Sequence, residues 1–473
     1  MTGAADETAA AARLAYEEAS VFLAGLEERP VLPAGADEAA DRFGGPLTEE
    51  GTGAVAALEE LFGGLDAATG SPGPRFFHFV TGGVTPAALG ADWLVTALDQ
   101  NAFSRVASPL GTRVERVAVD WLKELFELPA AWGGALSTGA TTANLMGLAA
   151  ARQWWGERHG RDVGGEGLAG LPPVPVLSSG LVHSSALKAL AVLGIGRETV
   201  GTFSRDAGGV IDLPALEAAL RELEGAPAIL VGNAGDVNTG RFDPIARLAD
   251  LAEEHGAWLH VDGAFGLFAR VSPRVAHLAE GVERAHSVIA DGHKWLNVPY
   301  DCGFAFVRDP DLLAKVFSVT AAYLPSNEPE PTFGYLTPEL SQRARSLPVY
   351  AALRAWGRTG YREMVERHLD LAQRLAARVD EADDLERLAD VPLNIVCFRY
   401  RPPGVPEEEL DALNASIGED LLADGRVYVG TTSFEGRTAF RPAIVNWRTR
   451  EQDVDLVATV VQELGGRLLA RTK

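Results

Sequence analysis

Short apolar runs and stretches of helical periodicity alternate along the chain between about residues 75 and 375. Uninterrupted apolar runs are typical of strands that are buried on both faces, and amphipathic stretches between them are typical of crossover helices. The alternation predicts a mostly parallel sheet that is covered by helices on both faces. The predicted strands are Val174–Leu177, Thr199–Phe203, Ala228–Gly232, Ala257–Val261, Ser287–Ala290 and Phe304–Val307, and the predicted helices are Thr142–Trp155, Ser184–Leu193, Leu213–Leu223 and Ile245–His255.

The two ends of the chain follow other patterns. Before about residue 70, prolines separate helical stretches such as Ala11–Leu26 and Gly53–Phe62, which we interpret as an arm without a core of its own. The last hundred or so residues indicate a small α+β domain. We therefore predict an arm of residues 1–73, a large domain of residues 74–375 and a small domain of residues 376–473. The predicted elements of the small domain are the strands Asn394–Arg399, Val427–Thr431 and Thr438–Val445, a turn at Glu435-Gly436 and a helix from Glu451 to Leu469.

Composition and charge exclude several classes of function. The 473 residues carry a formal net charge of −23, which argues against nucleic acid or an anionic membrane as a partner. Only two cysteines occur, and no Cys/His cluster has the spacing of a zinc site, so we expect neither disulfides nor a bound metal. The N-terminal residues lack the pattern of a signal peptide, and no apolar stretch is long enough to span a membrane. We therefore expect a cytoplasmic protein.

Two residues at predicted strand ends indicate the chemistry. Asp262 ends one buried strand, and Lys294 follows the next one. Side chains at the carboxyl ends of neighbouring strands can face one pocket. Pyridoxal 5'-phosphate (PLP) requires such a pair, because a carboxylate keeps the pyridine nitrogen protonated and a lysine forms a Schiff base with the aldehyde. Taken separately, a lysine is usually a surface residue and a strand-end aspartate is often only a helix cap.

Each of three further segments can be interpreted either as part of a cofactor site or as an ordinary structural feature. Ser137–Asn144 is a hydroxyl-rich turn that opens a helix, where backbone N–H groups suit a phosphate, but such turns are also ordinary helix caps. His183 follows a predicted strand and could stack on a flat cofactor ring, or it could be a structural histidine. In the loop Gly235–Gly240, Asn238 or Thr239 could contact the cofactor, or the loop could be a simple turn.

Together these segments resemble the group II PLP-dependent amino-acid decarboxylases, the family of aromatic-L-amino-acid decarboxylase. The resemblance implies the type I PLP fold, like that of aspartate aminotransferase, with a mostly parallel seven-stranded sheet between helices, a helical N-terminal arm and a small C-terminal domain. The segments that carry it are, in order, Pro74–Phe79, Ser108-Pro109, Thr141–Arg152, His183–Ser185, His260–Asp262, His293–Trp295 and Phe440-Arg441.

The resemblance also implies roles for individual residues. Lys294 is the Schiff-base lysine, Asp262 pairs with the pyridine nitrogen and His183 stacks on the ring. The backbone at Ala140 and Thr141 binds the phosphate, with help from Ser287 and His293. Some relatives carry Asn where this chain has Asp291, and a carboxylate would repel a phosphate, so we do not expect Asp291 to bind it directly. Val237 stands where the aromatic enzyme has Thr, so Asn238 or Thr239 is expected to take that role.

The family is dimeric, with active sites at the subunit interface and an N-terminal segment that wraps around the partner. The resemblance therefore implies a homodimer, and it places Asn101 and Phe103 in the partner's pocket. A mobile loop closes over the substrate in this family, and Tyr323–Pro338 suits it. Tyr323 matches the loop tyrosine that donates a proton after carbon dioxide leaves, and Tyr335 is the alternative donor.

The substrate pocket implied by the resemblance consists of His78, Phe79, Asn101 and Phe103. The two phenylalanines suit an aromatic or apolar substrate, although they could be core residues. His78 and Asn101 permit a polar or acidic substrate, and Asn101 replaces an apolar residue of the aromatic enzyme. The amino acid that binds therefore stays open.

Four activities remain possible at this point. The first is decarboxylation of an L-amino acid to the amine. The second is aldehyde synthesis, whose enzymes typically have Phe in place of the loop tyrosine, so Tyr323 favours decarboxylation. Carbon–carbon lyases and aminotransferases form a third group. The fourth is a non-catalytic PLP-binding protein, against which the intact set of Lys294, Asp262 and His183 argues.

Overall fold

The computed structural model describes residues 2–320 and 332–472. Eleven strands form two sheets in this part of the chain. The strands of the larger sheet are β1 (Gly133–Ser137), β2 (Val176–Ser178), β3 (Val200–Thr202), β4 (Ile229–Asn233), β5 (Trp258–Asp262), β6 (Ser287–Asp291) and β7 (Gly303–Val307), and those of the smaller sheet are β8 (Leu385–Arg387), β9 (Phe398–Tyr400), β10 (Thr431–Phe434) and β11 (Arg437–Phe440).

The larger sheet has the order β1-β7-β6-β5-β4-β2-β3. Strands β2 to β6 are parallel, whereas β7 is antiparallel to both of its neighbours. Along β4, Ile229 and Val231 face one hydrophobic core and Leu230 faces the other, so these successive residues are all apolar because both faces of the strand are buried. The predicted α/β architecture, with a mostly parallel seven-stranded sheet, is confirmed.

Fourteen α-helices surround the sheets in the described residues. Helices α6, α8 and α11 cover one face of the larger sheet, and α5, α10 and α12 cover the other. They are α1 (Thr2–Ala24), α2 (Ala36–Ala40), α3 (Ala54–Phe62), α4 (Pro86–Leu98), α5 (Pro109–Leu125), α6 (Ala140–Arg158), α7 (Val163–Glu166), α8 (Ser184–Val192), α9 (Leu213–Glu222), α10 (Ile245–Glu254), α11 (Asp311–Phe317), α12 (Ser346–Glu381), α13 (Glu407–Asp424) and α14 (Glu451–Thr472).

Local sequence signals set several of these boundaries. Ser108 accepts a hydrogen bond from the N–H of Gly111 at 3.1 Å, and Pro109 follows it at the first position of α5. Asp212 caps α9 in the same way through the N–H of Ala215. The six predicted strands and four predicted helices of the large domain are all present, with small shifts at their ends.

Strand β1 was not predicted. Its sequence, Gly-Gly-Ala-Leu-Ser, contains no β-branched or aromatic residue, so its intrinsic preference for a strand is weak. It is a strand because it pairs with β7 along its whole length, from Gly133 opposite Val307 to Ser137 opposite Gly303. Tertiary pairing, and not local sequence, determines this element.

The smaller sheet is antiparallel, has the order β10-β11-β9-β8 and packs on α12, α13 and α14. The predicted turn at Glu435-Gly436 is present, and both residues have positive φ. The predicted strand Thr438–Val445 was too long, because Pro442 interrupts it and lacks the N–H that a ladder needs. Similarly, Asn394–Arg399 is a strand only at its end, in β9. The predicted domain boundary at residue 375 falls within α12, which belongs to both cores.

The arm contains α1 and α3, which pack against each other. Several large apolar side chains of this region and of α4 face solvent in the single chain: Tyr16, Val21, Phe43, Leu47, Leu61, Trp93, Leu94 and Leu98. None of the helices within residues 2–320 and 332–472 has the length and hydropathy that crossing a bilayer requires.

Candidate active site

A cavity of about 420 Å³ lies at the carboxyl ends of β4, β5 and β6. Its walls include Asp262, Asp291, His183 and Lys294, together with the first turn of α6. The location follows the general rule that ligands of open α/β sheets bind beyond the carboxyl ends of the strands. A larger cavity of about 820 Å³ lies between α12 and the start of α14, but it contains none of the predicted site residues, so we assign the chemistry to the smaller one.

Asp262 is the last residue of β5 and is 5% exposed. Its Oδ2 accepts a hydrogen bond from Asn144 Nδ2 at 2.9 Å, and its Oδ1 accepts one from the N–H of Ala264 at 3.1 Å. Donors to both oxygens fix the direction of the carboxylate. The side chain lines the cavity and can face a cationic ring nitrogen there.

Lys294 lies in a short helical turn, Gly292–Leu296, that follows β6. Its φ of −90° and ψ of −107° are not helical, and its side chain lines the cavity. The Nζ atom lies 3.1 Å from Oδ2 of Asp291 and 5.9 Å from the ring centroid of Phe265. Gly82 donates its N–H to the carbonyl of His293, and a Cβ at Gly82 would lie 1.7 Å from the carbonyl oxygen of Lys294. Glycine is therefore required at that position.

The first turn of α6 is the candidate phosphate site. Gly139, with φ of 146°, precedes Ala140, and Thr141 and Thr142 line the cavity beside it. The N–H of Ala140 donates to Oδ1 of Asp291 at 2.5 Å. The carboxylate of Asp291 therefore occupies the same N–H that is expected to bind the phosphate, and the expectation that Asp291 does not bind the phosphate directly stays a prediction.

His293 lies close to that turn, and its Nδ1 atom is buried without a hydrogen-bond partner in the described residues. A Cβ at Gly139 would lie 3.2 Å from His293 Cε1. Tyr300 stacks on the His293 ring at 4.1 Å, and burial lowers the pKa of His293. An unpaired buried imidazole nitrogen beside a helix N-terminus fits a polar, anionic ligand.

His183 borders the cavity at the start of α8. Its Nδ1 accepts a hydrogen bond from the N–H of Ser185 at 3.2 Å. The ring is open to the cavity, yet the protein around it lowers its pKa, mainly through desolvation. A neutral ring whose Nδ1 accepts must carry its proton on Nε2.

Three predicted cofactor residues lie outside the cavity lining. The Asp236 carboxylate accepts from the N–H groups of Asn238 and Thr239 at 2.8 and 3.0 Å, which turns the loop back on itself. Asn238 Oδ1 then accepts from Thr432 Oγ1 at 2.8 Å, and Thr239 Oγ1 donates to Asp236. Ser287 is at the other end of β6 from Asp291 and is fully buried. The strand length separates Ser287 from the phosphate site.

The predicted substrate residues divide into two pairs. Phe79 lines the cavity and is 61% exposed, and the ring of His78 lies 3.8 Å from it. Asn101 and Phe103 do not line this chain's cavity. The Asn101 side chain accepts from the N–H of Gln342 at 2.9 Å, and the carbonyl of Phe103 accepts from the N–H of Gly334 at 3.0 Å.

Tyr323 lies outside the described residues. The second half of the predicted loop, from residue 332, is not an open lid. A short helical turn, Phe333–Tyr335, occupies part of it, and Phe333 is 3% exposed beneath the guanidinium of Arg116. Phe333 explains why this segment packs on the protein and is not an open loop, because its large apolar side chain is buried.

Sequence reasoning did not assign Arg441, Tyr300, Asn233, Asp236 or Phe265 to the site, although all of them line the cavity. Arg441 is 9% exposed, and its Nη1 has no hydrogen-bond partner within the described part of the chain. A lone arginine inside the apolar stretch Phe440–Val445 is a signal that could have identified it.

The comparisons with known proteins agree with this geometry. The family model described as the pyridoxal-dependent decarboxylase conserved domain matches residues 67–401. The chain is 28% identical to an aromatic-L-amino-acid decarboxylase of Bacillus atrophaeus, over 80% of this chain and 79% of that protein. It is 31% identical to an L-2,4-diaminobutyrate decarboxylase of Rhizobium meliloti (strain 1021), over 89% and 84%. A phenylacetaldehyde synthase of Petunia hybrida is 28% identical, over 85% and 82%.

Among solved structures, that of Oryza sativa TDC with PLP and tryptamine superposes with a TM-score of 0.88 at 25% identity, over 98% of both chains. A strand-end carboxylate, a lysine and a helix N-terminus around one cavity are the groups that PLP requires. The chain belongs to the pyridoxal-dependent decarboxylases and is an enzyme whose cofactor is pyridoxal 5'-phosphate.

Proposed function

We propose that this enzyme decarboxylates an L-amino acid to the corresponding amine. One observation carries the proposal: Asp262 and Lys294 face a single cavity that the first turn of α6 closes at one side. When bound, PLP supplies an electron sink for the carbanion that remains when carbon dioxide leaves. The protein contributes the orientation and the electrostatics.

Each residue around the cavity has a proposed task. Lys294 binds the cofactor covalently, and Asp262 keeps the ring nitrogen protonated. Ala140, Thr141 and His293 bind the phosphate. His183 covers one face of the ring and presents its Nε2–H to the substrate. All of these residues line the same cavity.

Arg441 is the proposed binding group for a substrate carboxylate. It borders the cavity and is almost fully buried, and its Nη1 atom is unpaired within the described residues, so a carboxylate would complete its hydrogen bonding. His78 lies nearby, and burial, followed by the charge of Arg441, lowers its pKa to about 4. A neutral His78 does not compete with Arg441 for an anion.

Substitution of Arg441 tests this role. We expect Arg441→Gln to raise KM by at least ~10-fold, as for a lost charge-assisted hydrogen bond, while the bound cofactor keeps its absorbance. Arg441→Lys is the matched variant that retains the charge. An unchanged KM in Arg441→Gln would assign the carboxylate to another group.

We further propose that the enzyme is a cytoplasmic homodimer. The arm and α4 expose several large apolar side chains, which supports the proposal that a second copy of the chain covers this surface. The partner would then receive Asn101 and Phe103 into its substrate pocket. Sedimentation is expected to give a dimer at working concentration, and an active monomer would contradict this assignment.

The main alternative is aldehyde synthesis on the same scaffold, which the Petunia hybrida relative represents. The test is a screen of the PLP-loaded enzyme against the common amino acids, with carbon dioxide, amine, aldehyde and keto acid measured together. Carbon dioxide and amine in equal amounts support decarboxylation. Aldehyde with peroxide supports the synthase, keto acid supports an aminotransferase, and no turnover of any amino acid supports a non-catalytic protein.

A further inference from the structure

The side-chain amide of Asn144, on α6, makes three contacts directly beneath the cavity. Its Nδ2 lies 2.9 Å from Asp262 Oδ2 and 3.1 Å from Ser185 Oγ, and its Oδ1 lies 2.8 Å from His260 Nε2. Asn144 is fully buried. It does not line the cavity, so it acts only through these neighbours.

The direction of each hydrogen bond follows from Asp262. A carboxylate only accepts, so the NH₂ group of Asn144 must face it, and the second amide hydrogen then points to Ser185. The amide oxygen is left to accept from His260 Nε2–H. One orientation of the amide therefore satisfies all three neighbours, and the flipped orientation would place oxygen against the carboxylate.

The first branch continues through His260 along the α6 side of the sheet, toward the first residues of β5 and β6. With its proton on Nε2, His260 accepts at Nδ1 from the hydroxyl of Ser287 at 2.8 Å. Ser287 accepts in turn from Trp258 Nε1–H at 3.0 Å. Each donor in this row of hydrogen bonds points to the next group, and the last donor, Asn144 Nδ2, points to Asp262. Such a row of aligned donors fixes the orientation of the Asn144 amide beside the carboxylate.

The second branch leads to His183. Ser185 accepts from Asn144 at Oγ, and its own hydroxyl lies 2.7 Å from His183 Nδ1, which also accepts from the N–H of Ser185. The hydroxyl therefore donates to Nδ1. This bond adds to the backbone bond in fixing the His183 proton on Nε2, toward the cavity.

We infer that Asn144 is a positioning residue that orients both Asp262 and His183, the groups on two sides of the cofactor ring. The inference rests on the proposed function for what those two groups do. The hydrogen-bond directions themselves follow from contacts within the protein and do not depend on the proposed function.

The test is the isosteric variant Asn144→Asp, which changes one nitrogen to oxygen. A second acceptor then faces Asp262 and Ser185, so both branches lose their donor. We expect the Kd for PLP to rise at least ~10-fold, which is the scale of one hydrogen bond to a charged group. The pH at which the absorbance of the bound cofactor changes should also shift by about one unit or more, because a carboxylate beside Asp262 disfavours its charge.

Asn414→Asp is the matched control. Asn414 is equally buried, but it bonds the backbone N–H and carbonyl of Tyr400 at 2.7 and 2.8 Å in the small domain. Its replacement should lower the melting temperature and leave the Kd and the pH titration unchanged. If Asn144→Asp binds PLP with the parent's affinity and titration, the inference is wrong. If the parent itself does not bind PLP, the proposed function fails instead.

A measurement on the cofactor-free parent keeps the inference testable if the variant does not fold. Nitrogen-15 NMR of labelled histidine distinguishes the two neutral tautomers. We expect both His183 and His260 to carry the proton on Nε2 at pH 7. A proton on Nδ1 of either ring would contradict the hydrogen-bond directions given above and overturn the inference.

Discussion

Asp291 and Lys294 form an ion pair on the floor of the cavity, with Oδ2 and Nζ 3.1 Å apart. The other carboxylate oxygen of Asp291 accepts from the N–H of Ala140, in the turn where the cofactor phosphate is proposed to bind. Cofactor binding must therefore displace this carboxylate from the Ala140 N–H or accommodate two anions side by side.

Replacement of Asp291 by Asn should strengthen cofactor binding. Asn removes the like charge and can donate to a phosphate, so we expect a decrease in Kd for PLP of at least ~5-fold, with a parallel gain for inorganic phosphate. Fluorescence titration of the cofactor-free protein measures both. Asp301→Asn is the control, since Asp301 pairs with Arg345 outside the cavity lining. Weaker binding by Asp291→Asn would show that the carboxylate assists the cofactor.

Asp262→Asn tests the group that is proposed to face the ring nitrogen. The shape is nearly unchanged, but the charge that is proposed to keep the nitrogen protonated is lost. We expect a folded protein, weaker PLP binding and a loss in kcat of at least ~100-fold, the scale of one preorganised electrostatic group. Circular dichroism and steady-state rates measure these effects. Turnover near the parent rate would mean that a different group faces the nitrogen.

Tyr323→Phe tests the reaction type. Tyr323 lies outside the described residues, and its role comes from the family resemblance. Without its hydroxyl, carbon dioxide loss remains possible but proton delivery to Cα slows, so oxygen can intervene. We expect amine production to fall and aldehyde, ammonia and peroxide to appear in air but not under anaerobic conditions.

Tyr335→Phe is the control for that experiment. Tyr335 ends the short helical turn Phe333–Tyr335, which packs on the body of the protein, and this variant should remain a decarboxylase. Amine formation at the parent rate by Tyr323→Phe would assign the proton to Tyr335, His183 or Tyr300, the last of which borders the cavity.

Buried histidines make stability depend on pH. Burial lowers the pKa of His260 from its ordinary value of 6.5 to about 4. The unfolded chain therefore binds a proton that the folded one does not, and the free energy of unfolding decreases as pH falls from 6.5 toward 4. His260 alone contributes roughly 3 kcal/mol over this window, and His286 and His368 act in the same direction.

Urea unfolding between pH 7 and pH 4.5 measures this dependence. His260→Gln removes one titrating group, so its free energy of unfolding should fall less steeply with acid than that of the parent. Equal slopes for the two proteins would show that the pKa of His260 is the same in the folded and the unfolded chain.

The sequence predicts elements whose local pattern and tertiary role agree. Strands β4, β5 and β6 are buried along their whole length and are mostly apolar, and so the convergence of Asp262 and Lys294 at one sheet edge could be anticipated. Strand β1 could not be anticipated, because its glycine-containing sequence forms a strand only through pairing with β7.

Contacts between distant residues limit what sequence reasoning can find in the site. Asn144 contacts Asp262 across 118 positions of the chain, and Asp291 reaches Ala140 across 151. The type of a residue does not reveal where its side chain points in the folded protein. For the same reason, Asn238 and Thr239 were expected in the cavity, whereas the Asp236 carboxylate turns them away from it.

The most direct test of the central claim is to find where the cofactor attaches. The purified enzyme with PLP should absorb at about 420 nm, and borohydride should fix the cofactor to the protein. Peptide mapping by mass spectrometry is expected to find the label on Lys294, and Lys294→Ala should neither show the absorbance nor take up the label. A label on any other lysine would contradict the account.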